Sequence, residues 1–360
     1  MIGEDPLSCV RERIDAIDRE ILALISARAR CAKEVADIKN AKGDVQFYRP
    51  EREAAILRRI KGQNPGPLGD EEMARLFREI MSACLALEQP LAVAFLGPAG
   101  TFTQAAAVKH FGHAVRCIPM CDIGEIFREV EAGSSHYGVV PVENSTEGVV
   151  SHTLDMFMRS PLRIAGEVVL RIHHHLISRE GALESIGTIF SHQQSLAQCR
   201  GWLDRHVPRA DRIAVGSNAE AARLASERAG VGAVAGEAAA DIYALGILAR
   251  QIEDEPGNTT RFLVLGTEDA APSGDDKTSL LLSCRNEAGG LHALLSPLAT
   301  HGISMTRIES RPSRRGIWDY VFFIDIIGHR DDDKVAKALA TLEKQSLLFK
   351  VLGSYPRAVL

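Results

Sequence analysis

Val10, Ile14, Ile17, Ile21 and Leu24 recur at alternating steps of four and three residues, and Cys31, Val35 and Ile38 carry the same seam onward. This spacing predicts one long amphipathic helix from about Val10 to Ile38, ending near Asn40–Gly43. A second helix is predicted from Pro50, a residue favoured in a first turn, to Lys61. The stretch Gly62-Gln63-Asn64-Pro65-Gly66-Pro67 is a loop by its Gly and Pro content. A third helix covers about Asp70 to Glu88, with Met73, Leu76, Phe77, Ile80, Cys84 and Leu87 on its inner side. Three helices with one this long do not readily close a core alone, so a dimer is expected.

From Leu91 the texture changes to short apolar runs separated by glycine turns. LAVAFLG, YGVVPV, GEVVLRI, IGTIF, RIAVGS and RFLVLG read as strands. Helical patterns lie between several of them, at Thr103–Phe111, Ile123–Ala132, Ser195–Arg205 and Asn218–Glu227. This alternation predicts an α/β region with a mostly parallel sheet. The polar stretch Glu268–Asp276 is a linker by composition. Beyond it the patterns give strand Thr278–Cys284, helix Leu291–Thr300, strand Ser304–Ser310, strand Trp318–Ile326, helix Asp333–Gln345 and strand Phe349–Tyr355. That βαββαβ order is the ferredoxin-like arrangement.

Composition narrows the picture. At 360 residues the chain exceeds what one core usually serves, so two or three domains are expected. Its boundaries fall at 1–90, 91–269 and 277–360. A formal net charge of −5 gives no support for nucleic-acid binding, which favours a basic face. Seven cysteines, an odd number without a CxxC, suit free thiols in a reducing compartment. The first residues lack the apolar core of a signal peptide, and no run suggests a membrane span. A soluble, cytoplasmic protein without membrane or nucleic-acid partners is expected.

Arg28 falls in the apolar stripe of the first helix. A guanidinium does not lose its proton, so an anion must meet it, either a protein carboxylate or a ligand. Lys39 lies eleven residues later, about 16 Å along the axis and within roughly 20° of the same direction. Arg11 stands about 25 Å away and ~100° around the helix, out of reach of the same ligand within one chain. An antiparallel second copy would bring its own Arg11 near. Arg52 and Glu53 sit on the second helix. On the third, the i, i+4 line Ile80, Cys84, Glu88 turns Glu88 inward.

Through VRERIDAID, SARA, DIK and ERE..IL, residues 7–89 resemble the all-helical chorismate mutases, intertwined dimers of three helices per chain. Chorismate is a dicarboxylate, and a cluster of Arg and Lys suits it. The resemblance implies that Arg28 and Arg11 of a second copy hold the carboxylates, Arg52 the ring side and Glu53 the hydroxyl. It implies Lys39 at the breaking ether oxygen. Cys84 stands where the best-known pattern has serine, and Glu88 where it has a glutamine that donates to the ether oxygen. An ionised carboxylate cannot donate. Glu88 must be protonated to do so, and mutase activity is expected to fall as pH rises.

GPAGTFT (97–103), GVVPVENSTEGVV (138–150), SHQQSLAQC (191–199) and NTTRFLVLG (258–266) place hydroxyls, amides and one Arg at strand ends, where α/β sites form. In this order the motifs resemble prephenate dehydratase, which implies two α/β lobes like those of periplasmic binding proteins, at about 91–170 with a return near 260, and 171–260. The resemblance favours Thr260 at the leaving hydroxide, supported by Asn144, Gln198, Ser191 and Glu143. Arg261 either holds a carboxylate or pairs structurally. Of His173-His174-His175, at most His173 and His175 share a strand face, a structural role is favoured, and no metal is expected. Cys117 and Cys121 read as packing residues. The C-terminal unit resembles an ACT domain, with Gly289-Gly290-Leu291 and Glu309-Ser310-Arg311-Pro312 matching its amino-acid-binding motifs. It implies L-phenylalanine as effector at a dimer interface. The whole reads as a bifunctional enzyme of phenylalanine biosynthesis without cofactor, acting on chorismate and prephenate as a homodimer or higher assembly. A ligand-binding regulator built from the same cleft and sensor is the rival of another class.

Overall fold

The computed structural model describes residues 6–42, 48–313 and 320–360. The expected helix end at Gly43 and strand start at Trp318 lie outside them. The N-terminal segment is helical throughout, as α1 (Pro6–Lys42), α2 (Pro50–Gln63) and α3 (Asp70–Glu88). Pro50 at the start of α2 loses no helical hydrogen bond there. Leu57, Ala74 and Met81 form a small core between α2 and α3. In α1 only Ala36 is buried, and Val10, Ile14, Ile17, Ile21 and Leu24 are all about half exposed or more.

The inner side of α3 differs from the expected one. Leu76 and Leu87 are exposed, while Ala74, Arg78, Met81, Ser82 and Cys84 are buried. The reason is that α3 packs on the following domain as well as on α2. Arg78 donates to the carbonyls of Lys109 (3.0 Å) and His110, and its Nε lies 3.1 Å from the Glu53 carboxylate. Close approach is possible because Gly112 has φ 77 and no side chain: a Cβ there would stand 2.4 Å from Ser82 Cβ.

Two α/β lobes follow. In the first, β1 (Ala92–Leu96), α4 (Phe102–Phe111), β2 (Arg116–Met120), α5 (Ile123–Glu131), β3 (Tyr137–Asn144), β4 (Gly148–Val149), α6 (Ser151–Phe157) and β5 (Arg163–Arg171) succeed one another. The second holds β6 (His175–Ser178), β7 (Thr188–His192), α7 (Gln193–Gln198), α8 (Arg200–His206), β8 (Asp211–Val215), α9 (Asn218–Glu227), β9 (Val231–Ala235), α10 (Glu237–Ile242) and β10 (Gly246–Ala249). The chain then returns as β11 (Thr259–Gly266) between β3 and β5 of the first lobe. The segment expected as one helix over 195–205 is broken at Cys199.

The sheets are mixed rather than mostly parallel. The first runs β2-β1-β3-β11-β5, parallel at β1 and antiparallel on both sides of β11; the second runs β10-β6-β9-β7-β8, parallel only around β7. A strand that re-enters from the other lobe has no crossover helix to force parallel pairing.

The last segment is βαββαβ: β12 (Asp276–Ser283), α11 (Gly290–Thr300), β13 (Met305–Pro312), β14 (Tyr320–Ile327), α12 (Asp333–Gln345) and β15 (Leu348–Pro356), with sheet order β13-β14-β12-β15. One sheet face packs on α11 and α12 through Leu280, Leu282, Leu294, Ile324 and Leu339. The other meets the first lobe, where Leu281, Phe323 and Leu352 join the core of Ile126, Phe127 and Phe157. Among the described residues no helix is long and apolar enough to cross a membrane.

Candidate active sites

The helical segment opens a cavity of about 420 Å³ lined by Arg28, Lys39, Arg52, Glu53, Cys84 and Glu88, together with apolar Val35, Ile56, Met81 and Leu85. Six of the seven sequence-derived positions thus surround one space. Arg11 does not line it and is exposed on α1. Arg28 makes no ion pair among the described residues. Burial raises the Glu88 pKa above the ordinary carboxylate range, and Lys39, Arg28 and Arg52 only partly offset this. Glu53, expected to be free for a hydroxyl, is committed to Arg78 at 3.1 Å; burial raises its pKa and Arg78 opposes the rise.

Between the α/β lobes lies a second cavity of about 590 Å³. Its first-lobe wall includes Gly97, Thr101, Phe102, Thr103, Asn144 and Thr260; Gln194, Ser195, Gln198, Asn218 and His174 come from the other side. Thr101 and Ser217 cap α4 and α9 by accepting from Gln104 N and Glu220 N, so both helix N-termini point their free backbone donors toward this space. Among the described residues no lysine or arginine lines it.

Strand geometry decides which motif residues reach the cavity. Along β11, Thr260 and Phe262 face it, so Arg261 between them points the other way. The β3–β11 register slips between Arg261 and Phe262, pairing Thr260 with Asn144 but Phe262 with Pro141. This bulge brings Pro141 and Asn144 onto one face despite their odd spacing. Asn144 donates to Thr260 Oγ1 (2.7 Å) and Asn258 Oδ1 (2.8 Å), while its own oxygen accepts from the backbone N–H groups of Thr146 and Glu147 (3.0 Å each). The Thr260 hydroxyl therefore already accepts one bond. Among the described residues no acceptor takes its hydrogen.

Two expected site residues lie elsewhere. Glu143, next to Asn144 and opposite Arg261 on the strand, faces away by alternation and pairs with Arg307 of β13 at 3.1 Å. Ser191 is fully buried behind the cavity, donating to Val234 O (2.7 Å), with Asn218 Oδ1 2.9 Å away. Arg261 is resolved as a structural pair: it meets Glu167 (2.8 Å), Asp325 (2.5 Å) and the Tyr355 hydroxyl (3.0 Å) in the joint between the first lobe and the last domain. Burial alone would raise the Asp325 pKa, but Arg261 and Ser279 hold it below the ordinary range. Cys121 is exposed and lines the second cavity instead of packing; Cys117 is partly buried.

The histidine triplet separates by environment. His173 Nδ1 lies 2.7 Å from Glu253, His175 Nδ1 accepts from Gln251 N, and His174 faces the cavity. The described residues contain no cluster suited to a metal ion. In the last domain, Gly289 (φ 80) caps α11, and Gly290 admits the Arg285 carbonyl 2.6 Å from where a Cβ would stand. Leu291 is exposed, as is Glu309-Ser310-Arg311-Pro312 in part, on edge strand β13. Arg311 reaches back to Asp155 (2.8 Å) and Ser151 (2.5 Å) of α6.

Sequence reasoning missed Arg78, His174 and Asn258. Arg78 gave no such signal, because it lies on the polar side of α3, away from the stripe of Met73, Phe77, Ile80 and Cys84, and Asn258 stands first in a motif already recognised.

Comparison with known proteins matches three family models in order: chorismate mutase type II over residues 10–89, prephenate dehydratase over 93–270 and ACT domain over 278–344. The chain is 56% identical to the bifunctional chorismate mutase/prephenate dehydratase of Stutzerimonas stutzeri and 55% identical to that of Pseudomonas aeruginosa, over all of both chains. A crystal structure of prephenate dehydratase from Arthrobacter aurescens, in complex with L-Phe, superposes with a TM-score of 0.69 at 36% identity, covering 74% of this chain and 90% of that one.

Proposed function

Because the chain belongs to the bifunctional chorismate mutase/prephenate dehydratases, we propose that its two cavities work in series, the helical one making prephenate and the interlobe one consuming it. The observation that carries this is the assembly of each motif set, drawn from distant segments, around its own cavity.

The rearrangement of chorismate is intramolecular and needs no nucleophile or metal. Its catalyst has to hold a compact dianion and stabilise charge on the breaking ether oxygen. Arg28 and Arg52 supply cations for carboxylates, and Lys39 with protonated Glu88 supplies donors for the ether oxygen. The half-exposed apolar seam of α1 and the distance of Arg11 from its own cavity support completion of the site by a second copy.

In the second reaction the bond from C1 to the ring carboxylate breaks and releases CO2. Its electron pair enters the ring, and the C4 oxygen leaves as water after gaining one proton. A donor aimed at that oxygen lowers the barrier. Thr260, accepting from Asn144, has its hydrogen free for this. Serving as donor and positioner suits a hydroxyl better than serving as acid, since its pKa lies far above neutrality. With no lysine or arginine among the described lining residues, the substrate carboxylates face the backbone donors at the starts of α4 and α9. L-Phenylalanine acts through the last domain, at Gly289–Leu291 and Glu309–Pro312.

Purified protein supplied with chorismate should deplete it and yield phenylpyruvate. Accumulating prephenate would remove the second assignment, and no turnover would favour a ligand-binding regulator.

A further inference from the structure

His174 sits where the chain crosses from the first lobe to the second. Its backbone is tied to the return crossover: its N–H donates to Glu253 Oε2 (3.0 Å), and its carbonyl accepts from Ile252 N (2.8 Å). The ring is 2% exposed and meets Phe102 of the opposite lobe edge-on, with centroids 5.6 Å apart. Its Nε2 lies 2.9 Å from Gln198 Oε1, and its buried Nδ1 has no partner.

A chain of carboxamides fixes the meaning of that contact. Backbone N–H groups can only donate, so the Asn144 oxygen is the atom facing Thr146 and Glu147, and its NH2 faces Asn258 and Thr260. Asn258 consequently presents its oxygen to Asn144 and its NH2 to Gln198 Oε1, 3.0 Å away. Gln198 Oε1 is then an acceptor, and the His174 atom facing it has to carry a hydrogen. The other tautomer would set two lone pairs against each other and leave a buried Nδ1–H without an acceptor. Protonating both nitrogens would bury that same N–H with a charge. Desolvation accordingly lowers the pKa of His174.

We propose that His174, as the Nε2–H tautomer, is a positioning residue of the dehydratase that locks the Gln198 carboxamide and, through Asn258 and Asn144, keeps the Thr260 hydrogen directed into the cavity. Without it, Gln198 is held in this orientation only by Asn258 and by a longer contact from its Nε2 to Glu147 (3.3 Å). Its amide can then turn, present NH2 to NH2 and loosen the chain behind Thr260. This rests on the reading of Thr260 given above.

The test uses the full chain and both activities. His174→Leu should lower kcat for prephenate about tenfold, the cost of one lost buried hydrogen bond, with KM within about twofold and chorismate turnover unchanged. His174→Gln, whose Nε2 can occupy the same donor position, should restore most of the rate. His174→Asn, whose amide ends short of Gln198, should behave like His174→Leu and serves in its place if leucine perturbs folding. In a Gln198→Leu background the further change His174→Leu should cost nothing, because both act through one contact. Full kcat in His174→Leu and His174→Asn, a His174→Gln enzyme as impaired as they are, or losses that multiply with Gln198→Leu would each overturn the proposal. Thr260→Val, run alongside, separates the two readings. If it is active, the Thr260 role fails; if it is inactive while His174→Leu is unimpaired, only the role of His174 fails.

Discussion

The two cavities of this chain solve opposite problems with opposite materials. The helical cavity is lined by cations and two carboxylates of raised pKa, and the α1 seam beside it stands about half exposed or more. The interlobe cavity has no lysine or arginine among its described lining residues and is wired by neutral carboxamides and hydroxyls. The contrast follows from the chemistry. A rearrangement needs its dianion gripped and its ether oxygen stabilised, so fixed positive charge serves it. A decarboxylation that expels a hydroxyl needs one well-aimed hydrogen, and excess positive charge near the departing carboxylate would stabilise the ground state it has to leave.

The strongest way to sharpen this contrast is to damage one cavity and read both rates. Arg28→Ala should reduce chorismate turnover by about a thousandfold, as expected for an unpaired substrate carboxylate in a partly desolvated site. Prephenate turnover should stay within about twofold. Loss of both activities with unfolding would return Arg28 to a structural role. Thr260→Val should give the mirror image, with phenylpyruvate formation down about a hundredfold and mutase activity retained, measured on prephenate and chorismate separately.

A subtler effect concerns pH. Protonated Glu88, the donor to the ether oxygen under the proposed function, exists below its raised pKa and is lost as pH rises through it, so mutase kcat should decline with rising pH. Glu88→Gln should flatten that limb; an unchanged profile would remove Glu88 from the reaction. The smallest effect is expected at the joint between cavity and sensor. Arg307 of β13 pairs with Glu143, the neighbour of Asn144. Arg307→Met should weaken phenylalanine inhibition about threefold to fivefold without changing the uninhibited rate, as read from inhibition curves.

Much of the fold was legible in periodicity. The bounds of α3, α9 and α12 agree with the apolar spacing to the residue, and α9 and α12 each present one stripe to one core. Legibility failed where a side chain answers to two neighbours. Leu76 and Leu87 fit the stripe of α3, yet the face that packs on the next domain holds Arg78 and Ser82. Arg28 stands in an apolar stripe and opens onto a cavity, whereas Arg78, on the polar side of its helix, is buried and closed by Glu53 and two carbonyls. Local pattern does not reveal that burial, since it depends on what another segment brings. Glu143 and Asn144 were read together from one motif, and strand alternation sends them to opposite faces. The first sheet is mixed through the return of β11 and the second through antiparallel pairing of β6 with β9 and β10, pairings that alternation of elements does not encode.

The central claim is that the helical cavity is half of a site and the interlobe cavity a whole one. Co-expressing an Arg11→Ala chain with an Arg28→Ala chain tests it directly. Each alone should lack mutase activity. Random pairing into dimers places both lesions in one site of every mixed dimer and leaves its other site intact, so about a quarter of all sites, and of the wild-type mutase rate, should return. Prephenate turnover should stay at its full value throughout. No recovery of chorismate turnover in the mixture, or an Arg11→Ala chain that is active alone, would contradict the account.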